Sequence, residues 1–294
     1  MFKNLKKNKF YIDELDNELD DELDDDVPNK VLDEVFDNVI NDEELINEVS
    51  DKVLDKVLDK EINDDDDDEA EDNKSFKYIQ PIILENLNLE KYFSKKDIEK
   101  SKANGDTLKI TDKGLYSITK SDDARWISGI IIKFIEFNEA KNTRELTIVD
   151  GTAGIGGNTL DFSNFFLKVI AIEINTVHYE VLKHNVDILK ITNVETHMDN
   201  FLSILDKVRQ DSNIFFFDPP WGGKSYKNYK FFNLKIGKIH IHSIINILYS
   251  KKFKYVILKG PYNLNISPLV NSVKYENMNI YKNSNQNMII IIFY

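Results

Sequence analysis

Leu146-Thr147-Ile148-Val149-Asp150-Gly151-Thr152-Ala153-Gly154-Ile155-Gly156-Gly157-Asn158-Thr159 passes from branched apolar residues into a loop with four glycines. An apolar run ended by a glycine cluster predicts a buried strand over 146–149, and the pattern beyond it predicts a helix over 158–166. Glycine lets the backbone turn sharply and lie against a ligand with no Cβ in the way. The loop has no G-x-x-x-x-G-K-[ST], which excludes that kind of phosphate cradle. It also departs from G-x-G-x-x-G, because Gly154-x-Gly156 has Thr159 at the third position. Asp150 stands before the first glycine, where a carboxylate would accept from a cationic amino-acid ligand.

Downstream, the same alternation continues. Strands are expected over 169–172, 214–217 and 255–258, and helices over 177–189 and 241–249. Residues 273–281 and 288–293 are expected to form a closing antiparallel pair. Strands separated by helices of this length imply a largely parallel sheet covered on both faces, with ligands at the carboxyl ends of its strands. The second strand ends in Glu173, the place for a carboxylate that accepts from both ribose hydroxyls.

The strand Ile214-Phe215-Phe216-Phe217 runs straight into Asp218-Pro219-Pro220-Trp221-Gly222-Gly223. Two prolines fix the backbone and supply carbonyls but no amide donors. An amino group there meets only acceptors. The lone pair of a base amine is delocalised into its ring, so acceptors that hold both N–H bonds orient the nitrogen and favour the developing positive charge. The pattern therefore points to transfer of a sulfonium methyl from S-adenosylmethionine to an exocyclic nitrogen of a nucleobase. Asp218 is assigned to positioning and charge stabilisation, with later proton acceptance. The indole of Trp221 offers a stacking face, better still for a cationic base such as 7-methylguanine.

Upstream of the alternating region, residues 122–138 read as an amphipathic helix, with Asp122 and Asp123 near its start and Ile127, Ile130, Ile131 and Phe134 at helical spacing. Residues 78–120 read as short helices with a turn near Asn104-Gly105. Before them lies a different composition. Residues 1–75 hold 9 basic and 29 acidic residues, whereas 76–294 hold 29 basic and 22 acidic. The overall charge of -13 is therefore a property of the arm, and the remainder is net positive. Repeats such as Asp51-Lys52-Val53-Leu54-Asp55-Lys56-Val57-Leu58 allow a transient apolar stripe, but Asp64 to Asp68 place five carboxylates together. The arm is expected to be mostly disordered, or to meet a basic protein partner. This gives three parts: an acidic arm over 1–75, a helical extension over 76–140 and a catalytic domain over 141–294.

The chain has no cysteine, which excludes disulfides, thiolate zinc sites and cysteine nucleophiles. Its apolar runs fall short of the roughly 20 residues that span a bilayer, and Met1-Phe2-Lys3-Asn4-Leu5 lacks the apolar core of a signal peptide. A monomeric intracellular protein without a membrane partner or a metal is expected.

The motifs together resemble the trimethylguanosine synthase family, which methylates the N2 amine of a 7-methylguanosine cap. Asp150 to Thr159 is similar to the family loop D-x-x-x-G-x-G-G-N-T. Val169-Ile170-Ala171-Ile172-Glu173 is similar to its second strand, and Pro219-Pro220-Trp221-Gly222-Gly223, followed by Tyr226, to its P-P-W-G-G. Gly114-Leu115-Tyr116-Ser117-Ile118-Thr119 resembles the entry motif G-W-[FY]-S-V-T. The resemblance implies a Rossmann-like class I methyltransferase fold (α/β), a mostly parallel seven-stranded sheet with a small helical N-terminal extension. It further implies that Asp150, Thr152, Gly154, Gly156, Asn158, Glu173 and Asn200 surround S-adenosylmethionine. Asn200 falls where the family has the Asp of G-D-F-L, one residue after Asp199. The catalytic floor would be Asp218, Pro219 and Pro220. Trp221 would stack on the methylated guanine of a capped RNA, with Tyr226 beside it and Lys120 near the phosphates. The family often has Ser where Asp218 stands, and adenine-N6 and ribosomal guanine-N2 methyltransferases have Asp.

The rival readings are a ribosomal, small-RNA or DNA amino-methyltransferase with the same floor, or an RNA-binding scaffold of weak activity. No target-reading domain for duplex DNA is visible. His240 and His242 read as surface or core histidines rather than metal ligands. Lys224, Lys227, Lys230, Lys235 and Lys238 follow the floor motif, where they would meet phosphates or line a solvated loop.

Overall fold

The computed structural model describes residues 10–13 and 87–294. In chain order it contains β1 (Phe10–Asp13), α1 (Lys95–Ala103), α2 (Gly114–Ser117), α3 (Ser121–Glu139), β2 (Thr147–Asp150), α4 (Gly157–Phe162), β3 (Lys168–Glu173), α5 (Thr176–Ile188) and β4 (Val194–Met198). There follow α6 (Leu205–Asp211), β5 (Ile214–Phe217), β6 (Lys235–Ile236), β7 (Ile239–His240), α7 (Ile241–Ser250), β8 (Tyr255–Pro261), α8 (Ser267–Ser272), β9 (Met278–Asn283) and β10 (Met288–Phe293). Apart from Phe10–Asp13, the acidic arm lies outside the described residues; those four run parallel to β9 at the sheet edge.

The sheet order is β1-β9-β10-β8-β5-β2-β3-β4. Neighbours from β8 to β4 are parallel, and β10 runs antiparallel to both β8 and β9. Without the β1 edge this is the mostly parallel seven-stranded sheet of a Rossmann-like class I methyltransferase. From β2 the chain steps out to β3 and β4, then returns past β2 to β5 and β8. Strand order therefore reverses between β2 and β5, and the carboxyl ends of strands at such a reversal are where open α/β sheets take their ligands. Asp150 and Asp218 end these two strands.

The central strands carry apolar side chains on both faces because both faces are covered. On one face, Ile127, Ile131, Phe134 and Ile135 of α3 pack with Phe162, Phe216, Ile257, Ile290 and Ile292. On the other, Val181, Leu182 and Val186 of α5 pack with Ala171, Leu160, Ile98 and Ile110. The α3 helix follows its sequence pattern, with acidic Asp122 and Asp123 in its first turn and a left-handed Ala140 closing its end. Asp161 of α4 is buried against α3 by Ser128 and Arg125, whose guanidinium lies over the Phe165 ring.

Two local expectations change, and one strand falls where none was expected. The helix after the glycine loop ends at Phe162 rather than 166, because Ser163 Oγ and Asn164 Nδ2 donate back to the Leu160 carbonyl and divert the chain into turns. The closing pair is present, but its first strand begins at Met278 rather than 273. The edge strand β4, Val-Glu-Thr-His-Met, carries no buried residue and so no apolar run that would announce it.

Candidate active site

The ends of β2 and β5 are tied together directly. Gly151 N donates to the Phe216 carbonyl at 2.8 Å, and Asp218 N donates to Thr152 Oγ1 at 2.7 Å. Thr152, assigned from the sequence to the cofactor, thus anchors the start of the Asp218-Pro219-Pro220 loop. Gly156 takes φ of +104°, which starts α4 at an angle a side chain would resist. A Cβ on Gly157 would lie 2.5 Å from the Thr119 carbonyl, so this glycine admits the entry segment against the cofactor loop.

Three carboxylates stand at the three strand ends. Asp150 is fully buried; its Oδ2 accepts from Thr159 Oγ1 at 2.7 Å, while Oδ1 has no partner. Burial, opposed by the Thr159 bond and reinforced by the charge of Asp218, pushes its carboxyl up to about 7. Glu173 accepts from Gly154 N at 2.7 Å and Asn175 N at 2.8 Å, and burial raises it despite those bonds. Asn200 Oδ1 accepts from Leu202 N, capping the short turn after β4, and Asp199 is exposed and bound to Ser203 Oγ. The apolar side chains of Ile174 and Met198 are exposed around Glu173, and Met198 is its register partner on β4.

Asp218 is held by groups from two other parts of the chain. Its Oδ2 accepts from Lys259 Nζ at 2.6 Å and from Thr119 Oγ1 at 3.2 Å. Thr119 Oγ1 in turn accepts from Lys259 Nζ and from Asn158 Nδ2. One hydroxyl therefore links the entry motif, the glycine loop, β5 and β8. Pro219 is buried and Pro220 exposed. The Trp221 ring packs on the core at one edge, meets Tyr226 edge-on at 5.3 Å, and has Lys259 Nζ 5.4 Å from its centroid. Its Nε1 is buried without a partner.

The structure thus ties Thr152 directly, and Asn158 through Thr119, to Asp218, joins Gly154 to Glu173, and sets Tyr226 against Trp221. Lys120 is exposed at the start of α3, next to Thr119. Sequence reading missed Lys259 and the roles of Thr119, Ile174 and Met198. The signal for Lys259 was a charge at the carboxyl end of an otherwise apolar strand. His240 and His242 stack on each other at 5.4 Å. Among the described residues no group of His, Cys, Asp or Glu is arranged to hold a metal, and no helix is long and apolar enough to cross a membrane.

The model of the RNA cap guanine-N2 methyltransferases matches residues 145–293. The chain belongs to this family. It is similar to the uncharacterised protein L320 of Acanthamoeba polyphaga mimivirus, with 32% identity over 203 residues, 63% of this chain and 78% of that one. It is also similar to the trimethylguanosine synthase of Schizosaccharomyces pombe, with 30% identity over 124 residues, 40% of this chain; the chain spans about half, 48%, of that synthase. A solved precorrin-6y C5,15-methyltransferase of Geobacter metallireducens GS-15 superposes with a TM-score of 0.42 at 16% identity, covering 63% of this chain and 92% of that one.

The cap guanine-N2 methyltransferase family uses S-adenosylmethionine as its methyl donor, and the residues of this chain fit that donor. A buried carboxylate oxygen without a partner, Asp150 Oδ1, asks for a cationic donor such as an ammonium group. Glu173 suits ribose hydroxyls, and the exposed apolar Ile174 and Met198 suit the faces of an adenine. When bound, the donor supplies an electrophilic methyl on a sulfonium.

Proposed function

We propose that this methyltransferase transfers a methyl group to the N2 amine of the 7-methylguanosine cap of RNA. The observation that carries the reading is the Asp218-Pro219-Pro220-Trp221 floor, anchored to the cofactor loop through Thr152 and lying at the strand-order reversal. Lys259 and Thr119 both bind Oδ2 of Asp218. In this reading Oδ1 and the Pro219 carbonyl accept the two amine N–H bonds and aim the nitrogen lone pair at the methyl. The carboxylate favours the ammonium character that develops on nitrogen, and the proton is lost after transfer without a strong base. Trp221 stacks on the guanine, whose positive charge strengthens the contact. Family membership supports the cap as substrate, and Asp218 in place of the frequent serine leaves the same acceptor function with more charge.

The test offers 7-methylguanosine diphosphate, GDP and an adenine oligonucleotide separately, with labelled S-adenosylmethionine. Transfer to the 7-methylated cap alone is expected. Transfer to GDP or adenine but not to that cap would overturn the reading.

A further inference from the structure

Residues 219–294 contain eleven lysines and a single acidic residue, Glu276. Five of those lysines, at 224, 227, 230, 235 and 238, fall in the segment that leaves the Asp-Pro-Pro-Trp floor and runs through the β6–β7 hairpin. Interleaved with them is a run of aromatic residues, Tyr226, Tyr229, Phe231 and Phe232. An aromatic-rich loop normally buries its rings. Here Tyr229 is 56% exposed and Phe231 59%, and Tyr262 on the neighbouring segment is 48% exposed.

The rings are connected to the site and held in place. From Trp221 the contacts run to Tyr226, then to Phe232 at 6.1 Å, then to Tyr229 at 6.1 Å. Asn263 Nδ2 donates to the carbonyls of both Tyr226 and Tyr229. Phe232 N donates to the Asn263 carbonyl, and Asn265 N to the Phe232 carbonyl. The loop is therefore laced to the segment after β8 and presents its rings from a fixed backbone. Each exposed ring or its neighbour has a lysine near: Lys227 at 5.9 Å from the Tyr226 ring, Lys230 at 5.6 Å from Phe231, and Lys282 at 6.0 Å from Tyr262.

We propose that this surface, from Tyr226 to Phe231 with Tyr262 and Lys282, is a track for the single-stranded RNA that follows the cap. Exposed rings on which bases stack, alternating with cations that meet phosphates, form the chemistry of sequence-tolerant single-strand binding. Charge decides the occupant, since an uninterrupted lysine series excludes a basic or neutral apolar partner and matches a polyanion. The rings distinguish a single strand from a duplex, whose bases are already stacked on each other. The proposal takes its direction, cap at Trp221 and chain running toward Tyr229, from the reading of capped RNA as substrate. Binding of a single strand does not require that reading.

The experiment measures fluorescence anisotropy of a labelled, uncapped ten-nucleotide RNA with the full chain, and separately transfer to 7-methylguanosine diphosphate. The double variant Tyr229→Ala/Phe231→Ala is expected to weaken RNA binding by roughly fivefold or more per ring removed. Lys227→Ala/Lys230→Ala is expected to flatten the salt dependence, with the log–log slope falling by about 0.7 per lysine. Phe137→Ala, which removes an exposed ring of α3 from the other part of the surface, is expected to bind like the parent. Equal affinity in the Tyr229/Phe231 variant, or a duplex that binds as tightly as the single strand, would overturn the track. Loss of RNA affinity in that variant, in a protein that does not methylate the cap, would keep the track and remove only the cap reading.

Discussion

Lys259 Nζ and Asp218 Oδ2 lie 2.6 Å apart, with side-chain exposures of only 9% and 12%. The lysine comes from β8 and the carboxylate from the end of β5, so the pair fixes the floor to its neighbouring strand. Removing one partner leaves a desolvated charge, which costs about 3 kcal/mol or more. Lys259→Met is therefore expected to lower stability by that amount in urea unfolding, and Asp218→Asn/Lys259→Met to recover part of it. Single and double variants of equal stability would show that the pair is not coupled. For turnover, Asp218→Asn is expected to lose about 100-fold in kcat with donor affinity retained, in line with removal of a charge-stabilising group.

Thr119 Oγ1 is the hub through which Asn158, Lys259 and Asp218 meet. Thr119→Val keeps the shape and strands the Asn158 and Lys259 donors, at a cost of about 1–3 kcal/mol. Turnover is expected to fall more than donor affinity, and Thr119→Ser to restore both. Equilibrium binding of S-adenosylhomocysteine, measured beside kcat, separates the two effects.

Asp150 carries a pH dependence of definite sign. Its folded carboxyl is raised to about 7 from an ordinary value of 3.8. A raised folded value means that the contribution of this group to stability is fully present below about pH 4 and is lost as pH rises toward 7. Asp150→Asn is expected to flatten the stability profile over that window. Binding of a cationic donor favours the ionised form, so donor affinity of the parent is expected to rise between pH 6 and 8, with proton release detected by calorimetry in buffers of different ionisation heat. An unchanged profile in Asp150→Asn would remove the residue from donor binding.

Gly154 and Gly157 separate two reasons for a glycine. A Cβ on Gly154 meets nothing within 4 Å, but φ there is +56°, so Gly154→Ala is expected to cost about 1–2 kcal/mol of backbone strain. Gly157→Ala would force a methyl to 2.5 Å from the Thr119 carbonyl, pushing the entry segment off the loop. Overpacking of this kind costs about 1–3 kcal/mol and here displaces the Thr119 hub. Thermal unfolding is expected to show similar losses for both, and kcat a much larger loss for Gly157→Ala.

Much of the fold was legible in the sequence because buried parallel strands read as apolar runs: β5 was expected at 214–217 and is found there, and β2 and β3 within a residue or so. The edge strand β4 escaped because a strand with no buried residue needs no apolar run. At the site, Asp150, Glu173 and Asp218 were visible as charges at strand ends. Lys259 was not singled out, although it is the same kind of signal, because a lysine beside an apolar strand usually reaches water.

By itself, the sequence determined which strands are buried and where the glycine loop and the Asp-Pro-Pro-Trp floor fall along them, whereas the strand-order reversal at which they meet is a property of the folded sheet. The former properties are local in the chain, set by periodicity, proline and glycine. Tertiary structure alone decided that Thr119 and Lys259, 99 and 41 residues from Asp218, close on its Oδ2, and that Tyr229, Phe231 and Tyr262 stay exposed beside lysines. The physical reason is that an ion pair in a buried cleft, and a ring left in water, depend on what the rest of the fold places around them.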